Sequence, residues 1–349
     1  MDIYIDKENL LSFIKGCRNE YYDDCLRMLK RELHINFNFE LKSVVDEGIL
    51  GVWLSSILSQ GRGNNENSDK YLNEKFPQRP IKSNFLSFLG EEKKKKLMSI
   101  YLINDNDARK LQEKGNVLVG ILGEEEAILE KMFLRNYCYE KIVNIHDGFS
   151  SWNMLCESLP CTDIVLQDRY LLQGKYGEGR TSDEKDDIIS ENVSDIIRAF
   201  SKDVRGVINV IIFTCPAYDC DSNINKINNS DRTDRILNLT NNKIKIDLKK
   251  HTPKPNLTFV IIKPNEKLLH DRFIITNYRI VSSGDSFTMF ATNDKKLKSN
   301  GTALRLCSLA DRQNYELSQS VLNNLQNIVD NGGAEIKVIG DKKSNFIKL

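Results

Sequence analysis

The chain has 349 residues, with 50 Lys and Arg against 49 Asp and Glu and a formal net charge of +1. That length predicts two domains or one large one, and 40% hydrophobic with 28% charged residues excludes wholesale disorder and fibrous architectures. The near-zero charge also excludes bulk electrostatics as a carrier of nucleic-acid binding, so any phosphate-facing surface must be local.

Met1 to Glu8 is charged from the second residue and lacks the apolar core of a secretory signal. The most apolar run, Ile49 to Leu58, is broken by Ser55 and Ser56 and is shorter than the ~20 residues a bilayer requires. A cytoplasmic protein without a transmembrane segment is expected. The eight cysteines, Cys17, Cys25, Cys138, Cys156, Cys161, Cys215, Cys220 and Cys307, form no Cys-x-x-Cys pair. Reduced, buried thiols are predicted, with no metal site and no cofactor.

Residues 1–155 read as an α/β domain. Asp2–Ile5 alternates as a strand, and Lys7–Lys15 carries Leu10, Leu11 and Ile14 at helical spacing. Tyr21–Leu33 repeats the helical pattern and Ile35–Phe39 alternates again. A helix then presents Leu41, Val44, Val45, Ile49 and Val52 on one face. Gly61–Ser68 has no periodicity and reads as a loop. Lys93–Lys96 reads as a solvated helix end, with a phosphate-facing patch as its alternative. Ser99–Ile103 and Val117–Ile121 are strands flanking a helix over Asp107–Lys114 that Gly115 closes. This strand–helix–strand rhythm predicts a parallel sheet.

Residues 160–349 read as a second α/β module. Its predicted strands are Asp163–Leu172, Val207–Phe213, Leu257–Ile262, His270–Thr276, Arg279–Ser283 and Glu335–Ile339. Tyr176–Asp187 and Asp219–Arg235 read as loops, the second leading into a helix that extends to Leu239. Ile188–Phe200 is helical, and a last helix carries Leu317, Val321, Leu325, Ile328 and Val329 before Gly332-Gly333.

Of the four histidines, His34, His146, His251 and His270, the last stands apart by its context. In a strand, His270, Arg272 and Ile274 share one face. An imidazole beside a guanidinium can grip one phosphate: the histidine attacks phosphorus or relays a proton, and the arginine offers a two-pronged donor to the non-bridging oxygens. A polar strand end with a satisfied histidine is the plainer alternative.

The stretch from His270 to Ser286 resembles the phospholipase D-like superfamily, whose mark is His-x-Lys-x4-Asp followed after six residues by Gly-Ser/Gly-x-Asn. His270, Arg272, Asn277 and Gly284 stand at the matching offsets, with Arg for Lys, Asn for Asp, and Asp285 and Phe287 at the Ser/Gly and Asn positions. The order of elements over roughly residues 160–345 agrees with one such module. The His-Asp-Arg form is similar to the divergent branch at the C-terminus of MIT-domain (microtubule-interacting and trafficking) proteins and in bacterial conflict systems.

The resemblance implies a catalytic set of His270, Arg272, Asn277 and Asp285, and a phosphate-binding set of Arg272, Ser283, Gly284 and Arg279. With one motif in the chain, catalysis would need a homodimer that brings two copies of His270 to one phosphate. His146 lacks the accompanying motif and does not supply the second histidine. The implied function is a metal-independent phosphodiesterase, a nuclease of bacterial defence acting on DNA or RNA. The alternative is a non-catalytic module binding phosphate, lipid headgroup or nucleic acid as a subunit of a larger complex.

A further resemblance lies at the N-terminus, where Ile3-Tyr-Ile-Asp6-Lys-Glu-Asn9 is similar to the opening strand of NYN/PIN-type ribonucleases. Asp6 and Asp105 would then contribute to a metal site; helix capping by Asp6 is the competing reading. Glu124 to Glu126 read as the acidic first turn of a helix.

Overall fold

Short apolar runs between helices build two separate sheets, each in its own unit. The computed structural model describes residues 1–16, 22, 25, 26, 29, 32–37, 47–59, 92–103, 108–133, 140–143, 149–155, 159–172, 181–202, 204, 206–216, 230–247, 255–263, 271–290, 303–333 and 336–349. The chain is α/β and divides into Met1–Tyr137 with Ala310–Arg312, and Cys138–Leu309 with Gln313–Leu349.

The first unit contains, in order, β1 (Asp2–Ile5), α1 (Lys7–Lys15), β2 (His34–Phe37), α2 (Gly48–Ser59), α3 (Lys93–Leu97), β3 (Ile100–Leu102), α4 (Ala108–Gly115), β4 (Leu118–Gly120) and α5 (Glu125–Phe133). The strands run parallel in the order β2-β1-β3-β4. Ile3, Ile5, Ile100 and Leu102, which share one face of the sheet, are buried. Asp6 ends β1 but makes no side-chain capping bond to α1, contrary to the capping expectation. Glu125 does more than start a helix: buried, it accepts hydrogen bonds from Asn9 Nδ2 at 2.7 Å and from the Gly123 N–H, tying α5 to α1.

One predicted face is turned. Ile49 and Val52 were expected in a buried stripe, yet they are exposed while Leu50, Trp53 and Leu54 are buried. Gly48, the first residue of α2, has φ +47°, a left-handed conformation that no right-handed helix can continue through. The helix is described from Gly48 onward, and Leu41, Val44 and Val45 of the expected face lie outside the described residues. The lysine run lies on α3, where Lys95 pairs with Asp2 at 3.1 Å and burial pushes the Lys94 ammonium below its usual pKa.

The second unit contains β5 (Glu140–Val143), a 3-10 turn (Trp152–Met154), β6 (Asp163–Gln167), α6 (Ser182–Ser201), β7 (Asn209–Thr214), α7 (Ser230–Asp247), β8 (Asn256–Ile262), β9 (Arg272–Ile275), β10 (Arg279–Ser283), β11 (Leu304–Ser308), α8 (Arg312–Asn331) and β12 (Ile336–Gly340). They form a mixed sheet in the order β12-β8-β7-β6-β9-β10-β11-β5, parallel across β6, β7 and β8 and antiparallel elsewhere. Every residue of β7 (NVIIFT) is buried, as a central strand demands. Gly340 ends β12 with φ +106°, and a Cβ there would collide with the Leu257 carbonyl oxygen, so only glycine lets the two strands meet.

The expected domain boundary near residue 155 moves to about residue 137, because β5 pairs with β11 and Phe149 and Trp152 join the second unit's core. The predicted loop Tyr176–Asp187 gives way to helix at Ser182. Thr181 Oγ1 accepts the Glu184 N–H while the Glu184 carboxylate accepts the Thr181 N–H, a reciprocal cap that starts α6 early. The loop predicted to Arg235 likewise yields to α7 from Ser230, where buried Asp186 of α6 pairs with Arg232 at 2.7 Å and with Arg235. In α8, Leu317 is exposed and the buried stripe is Ser318, Val321, Leu322 and Leu325. Cys25, Cys161, Cys215 and Cys307 are free and buried; the other four cysteines lie outside the described residues.

Candidate functional site

Strand β6 was expected to run to Leu172 but ends at Gln167, and the next residue explains why. The Asp168 carboxylate is buried and accepts the Tyr170 N–H at 2.9 Å, folding the chain into a turn. Its other oxygen accepts the Ser286 hydroxyl at 2.6 Å and the Phe287 N–H at 2.7 Å, so the loop after β10 is clamped to the end of β6. Burial pushes the Asp168 carboxyl above the ordinary carboxylate range, against the hydrogen bonds and the Arg272 charge that pull it down. Phe287 carries this loop into the core, edge-on to Trp152 at 5.8 Å, which in turn meets Phe149 at 5.6 Å.

Arg272 begins β9 beside Asp168, because Gln167 pairs with Phe273 across the antiparallel β6–β9 ladder. Its Nε stands 3.9 Å from Asp168 Oδ1, too far for a hydrogen bond, and is buried without a hydrogen-bond partner. Nη1 donates to the Gly284 carbonyl at 2.6 Å. In the hairpin register Arg272 faces Ser283, whose Oγ accepts the Asp285 N–H at 3.1 Å. Arg272, Ser283, Gly284 and Asp285 are therefore together at the carboxyl edge of the parallel strands. Open α/β sheets bind ligands at that edge because crossover helices begin there and strand ends point outward.

Tyr170 and Arg169 complete this edge. The Arg272 guanidinium carbon is 5.3 Å from the Tyr170 ring centroid and that of Arg169 is 5.6 Å from it. Cys215, just past β7, hydrogen-bonds Arg169; burial nevertheless pushes the thiol up, with Asp168 acting in the same direction.

Asn277 and Arg279 require a correction. Counting along the motif grouped them with Arg272, but the hairpin turns between Ile275 and Arg279, which leaves them at the opposite end of its strands. Asn277 is buried, with Oδ1 accepting the Thr162 N–H at 2.8 Å and Nδ2 donating to Thr162 Oγ1 at 3.0 Å. It fastens the hairpin turn to the start of β6. Arg279 is buried opposite Ser308, four residues along β10 from Ser283, which is ~13 Å at the rise of a strand.

His270, His146, His251 and Asp105, with the predicted loop Gly61–Ser68, lie outside the described residues. Among the described residues no group of three or more His, Cys, Asp or Glu side chains could hold a metal ion. No helix among them is long and apolar enough to cross a membrane.

No family model matches the sequence, and no curated protein matches it. The site is therefore defined by its own geometry.

Motif counting missed Asp168, Arg169, Tyr170 and Ser286. The signal was present: an apolar run, Ile164-Val-Leu-Gln167, passes directly into Asp-Arg-Tyr, and polar or amphipathic residues at the carboxyl end of a buried strand face the ligand edge of an α/β sheet.

Proposed function

We propose that the chain is a phosphodiesterase of phospholipase D-like type, a metal-independent nuclease of bacterial defence that works as a homodimer in the cytoplasm. The observation that carries the reading is the grouping of Arg272, Ser283 and Gly284 at the carboxyl edge, with the Arg272 guanidinium beside an exposed loop. In this reading Arg272 binds the non-bridging oxygens of a phosphodiester and withdraws charge from phosphorus. The His270 imidazole nitrogen forms a bond to phosphorus as the P–O bond to the leaving group breaks. His270 of a second copy donates the proton to the departing oxygen, then takes one from water as water displaces the first histidine. Asp168 holds the loop that Arg272 leans on and takes no part in bond making.

The experiment is cleavage of end-labelled DNA and RNA by the full chain in EDTA, with sedimentation velocity to fix the number of copies. Activity that survives EDTA and disappears in His270→Ala supports the reading; activity lost in EDTA and in Asp6→Ala moves the chemistry to the first unit.

A second reading, a phosphate-binding module without catalysis, is favoured by one contact. The Gly284 carbonyl already takes Nη1 of Arg272, as in a clamp that holds a ligand without reorganising. Binding without cleavage in both tests selects it.

A further inference from the structure

The sequence shows no run in which aromatic and basic residues alternate, yet the fold assembles one in space. Tyr170 follows Arg169 in the turn after β6, and Arg272 reaches the same ring from β9. The tyrosine is 38% exposed, more than any other aromatic side chain whose exposure is described. Its position is fixed from below, since Asp168 grips the Tyr170 N–H with one oxygen and the 286–287 loop with the other. An exposed aromatic ring on a rigid turn, flanked by two guanidinium groups, serves neither the core nor any hydrogen-bond network described above.

We propose that Tyr170 is a stacking platform for an unpaired base, and that the ligand of this edge is single-stranded nucleic acid. The inference rests on the reading of Arg272 as the phosphate clamp and adds the substrate class. A cation 5.3 Å from the ring centroid places a bound phosphate next to an aromatic face, the pairing that single-strand binders use to hold backbone and base together. A duplex keeps its bases stacked on one another, so only an unpaired base can reach the ring.

Lipid fits less well on two counts. A quaternary ammonium headgroup seeks aromatic faces but would meet two positive charges here. A bilayer also needs apolar side chains to enter it, whereas Arg169, Asp271, Arg272, Ser283, Gly284, Asp285 and Ser286, exposed or half-exposed residues of this strand end and its loop, offer none beside Tyr170 itself.

The test is fluorescence anisotropy of a labelled phosphorothioate oligothymidine, which resists cleavage, titrated with the full chain and with Tyr170→Ala, Tyr170→Phe and Arg272→Ala. Tyr170→Ala should weaken binding about tenfold or more with no change in salt dependence, because a stacking contact and no phosphate contact is lost. Tyr170→Phe should bind as the parent does. Arg272→Ala should weaken binding and lower the slope against log salt by about one. Pelleting with phosphatidylserine vesicles should show no effect of Tyr170→Ala. If Arg272→Ala weakens the complex and Tyr170→Ala does not, the stacking inference falls and the phosphate clamp stands. If neither variant changes affinity, both fall. Vesicle binding that depends on Tyr170 overturns the choice of nucleic acid.

Discussion

The two ends of β6 carry one aspartate each, and both carboxyls are pushed above the ordinary range by burial. At the amino end, Asp163 is saturated by the chain's last residues: Ser344 Oγ at 2.8 Å, the Asn345 N–H at 2.7 Å and Asn345 Nδ2 at 2.6 Å. Asn277 closes the same end by fastening the hairpin turn to Thr162. Lys342, Lys343 and Lys348 beside these groups are exposed and line an open cleft with Asn209, Ser344 and Asn345. At the carboxyl end, Asp168 is as deeply buried, but it supports a turn and a loop on which Tyr170 and Arg272 are displayed. A buried carboxylate thus marks structure at both ends; what separates them is the exposed aromatic ring, flanked by guanidinium groups, that Asp168 supports. Substitutions that break the Asp163 and Asn277 bonds should change stability and leave binding at the carboxyl edge unchanged, and those on the displayed residues should act chiefly on ligand binding.

The largest effect should come from the aromatic support beneath the carboxyl edge. Trp152→Ala removes a fully buried indole packed on Phe149 and Phe287, and should cost about 3–5 kcal/mol in urea unfolding. A loss below about 1 kcal/mol would mean that the loop is held without this cluster.

Asn277→Ala should cost about 2 kcal/mol, since it strands buried donors at the start of β6. Oligonucleotide affinity measured on the folded fraction should be unchanged. Lost affinity at full folding would erase the distinction between the two ends.

Titration sharpens the comparison. A carboxyl whose pKa is raised by folding binds its proton more tightly in the native state. Its stabilising share is complete below the ordinary carboxylate range and is lost as pH rises through the raised value. Thermal midpoints of the parent should therefore carry a declining component over that window, and Asp168→Asn should flatten it. Coincident pH profiles for parent and variant would show that Asp168 does not bear the shift. Arg272→Ala should move stability least, by about 0.5–1 kcal/mol, because one hydrogen bond to Gly284 is lost at a partly exposed position.

Much of the large sheet was legible because its central strands are long and apolar throughout. Val207–Phe213 and Leu257–Ile262 announce themselves, and the structure places β7 and β8 there within a few residues. Strands β5 and β11 were not read, since EKIV and LRLCS are short and interrupted by charge; only pairing with each other and with β10 makes them strands. The start of α6 was hidden by the acidic run after Thr181, which resembles a loop until Glu184 is seen to close the cap. In the site, Arg272 and Gly284 meet at the hairpin's open end. Counting along the motif could not tell that Asn277 and Arg279 lie past the turn, because a linear spacing does not say where a hairpin reverses. The pairing of Tyr170 with Arg272 was unreadable for a different reason: the two are about a hundred residues apart, and only the β6–β9 pairing makes them neighbours.

The contrast between the two ends is tested most directly by amide hydrogen exchange of the full chain with and without the phosphorothioate oligothymidine. Protection confined to residues 168–172 and 283–287, with 276–279 and 341–349 unchanged, is the predicted result. Protection at 276–279 and 341–349 with the carboxyl edge unchanged would contradict the account.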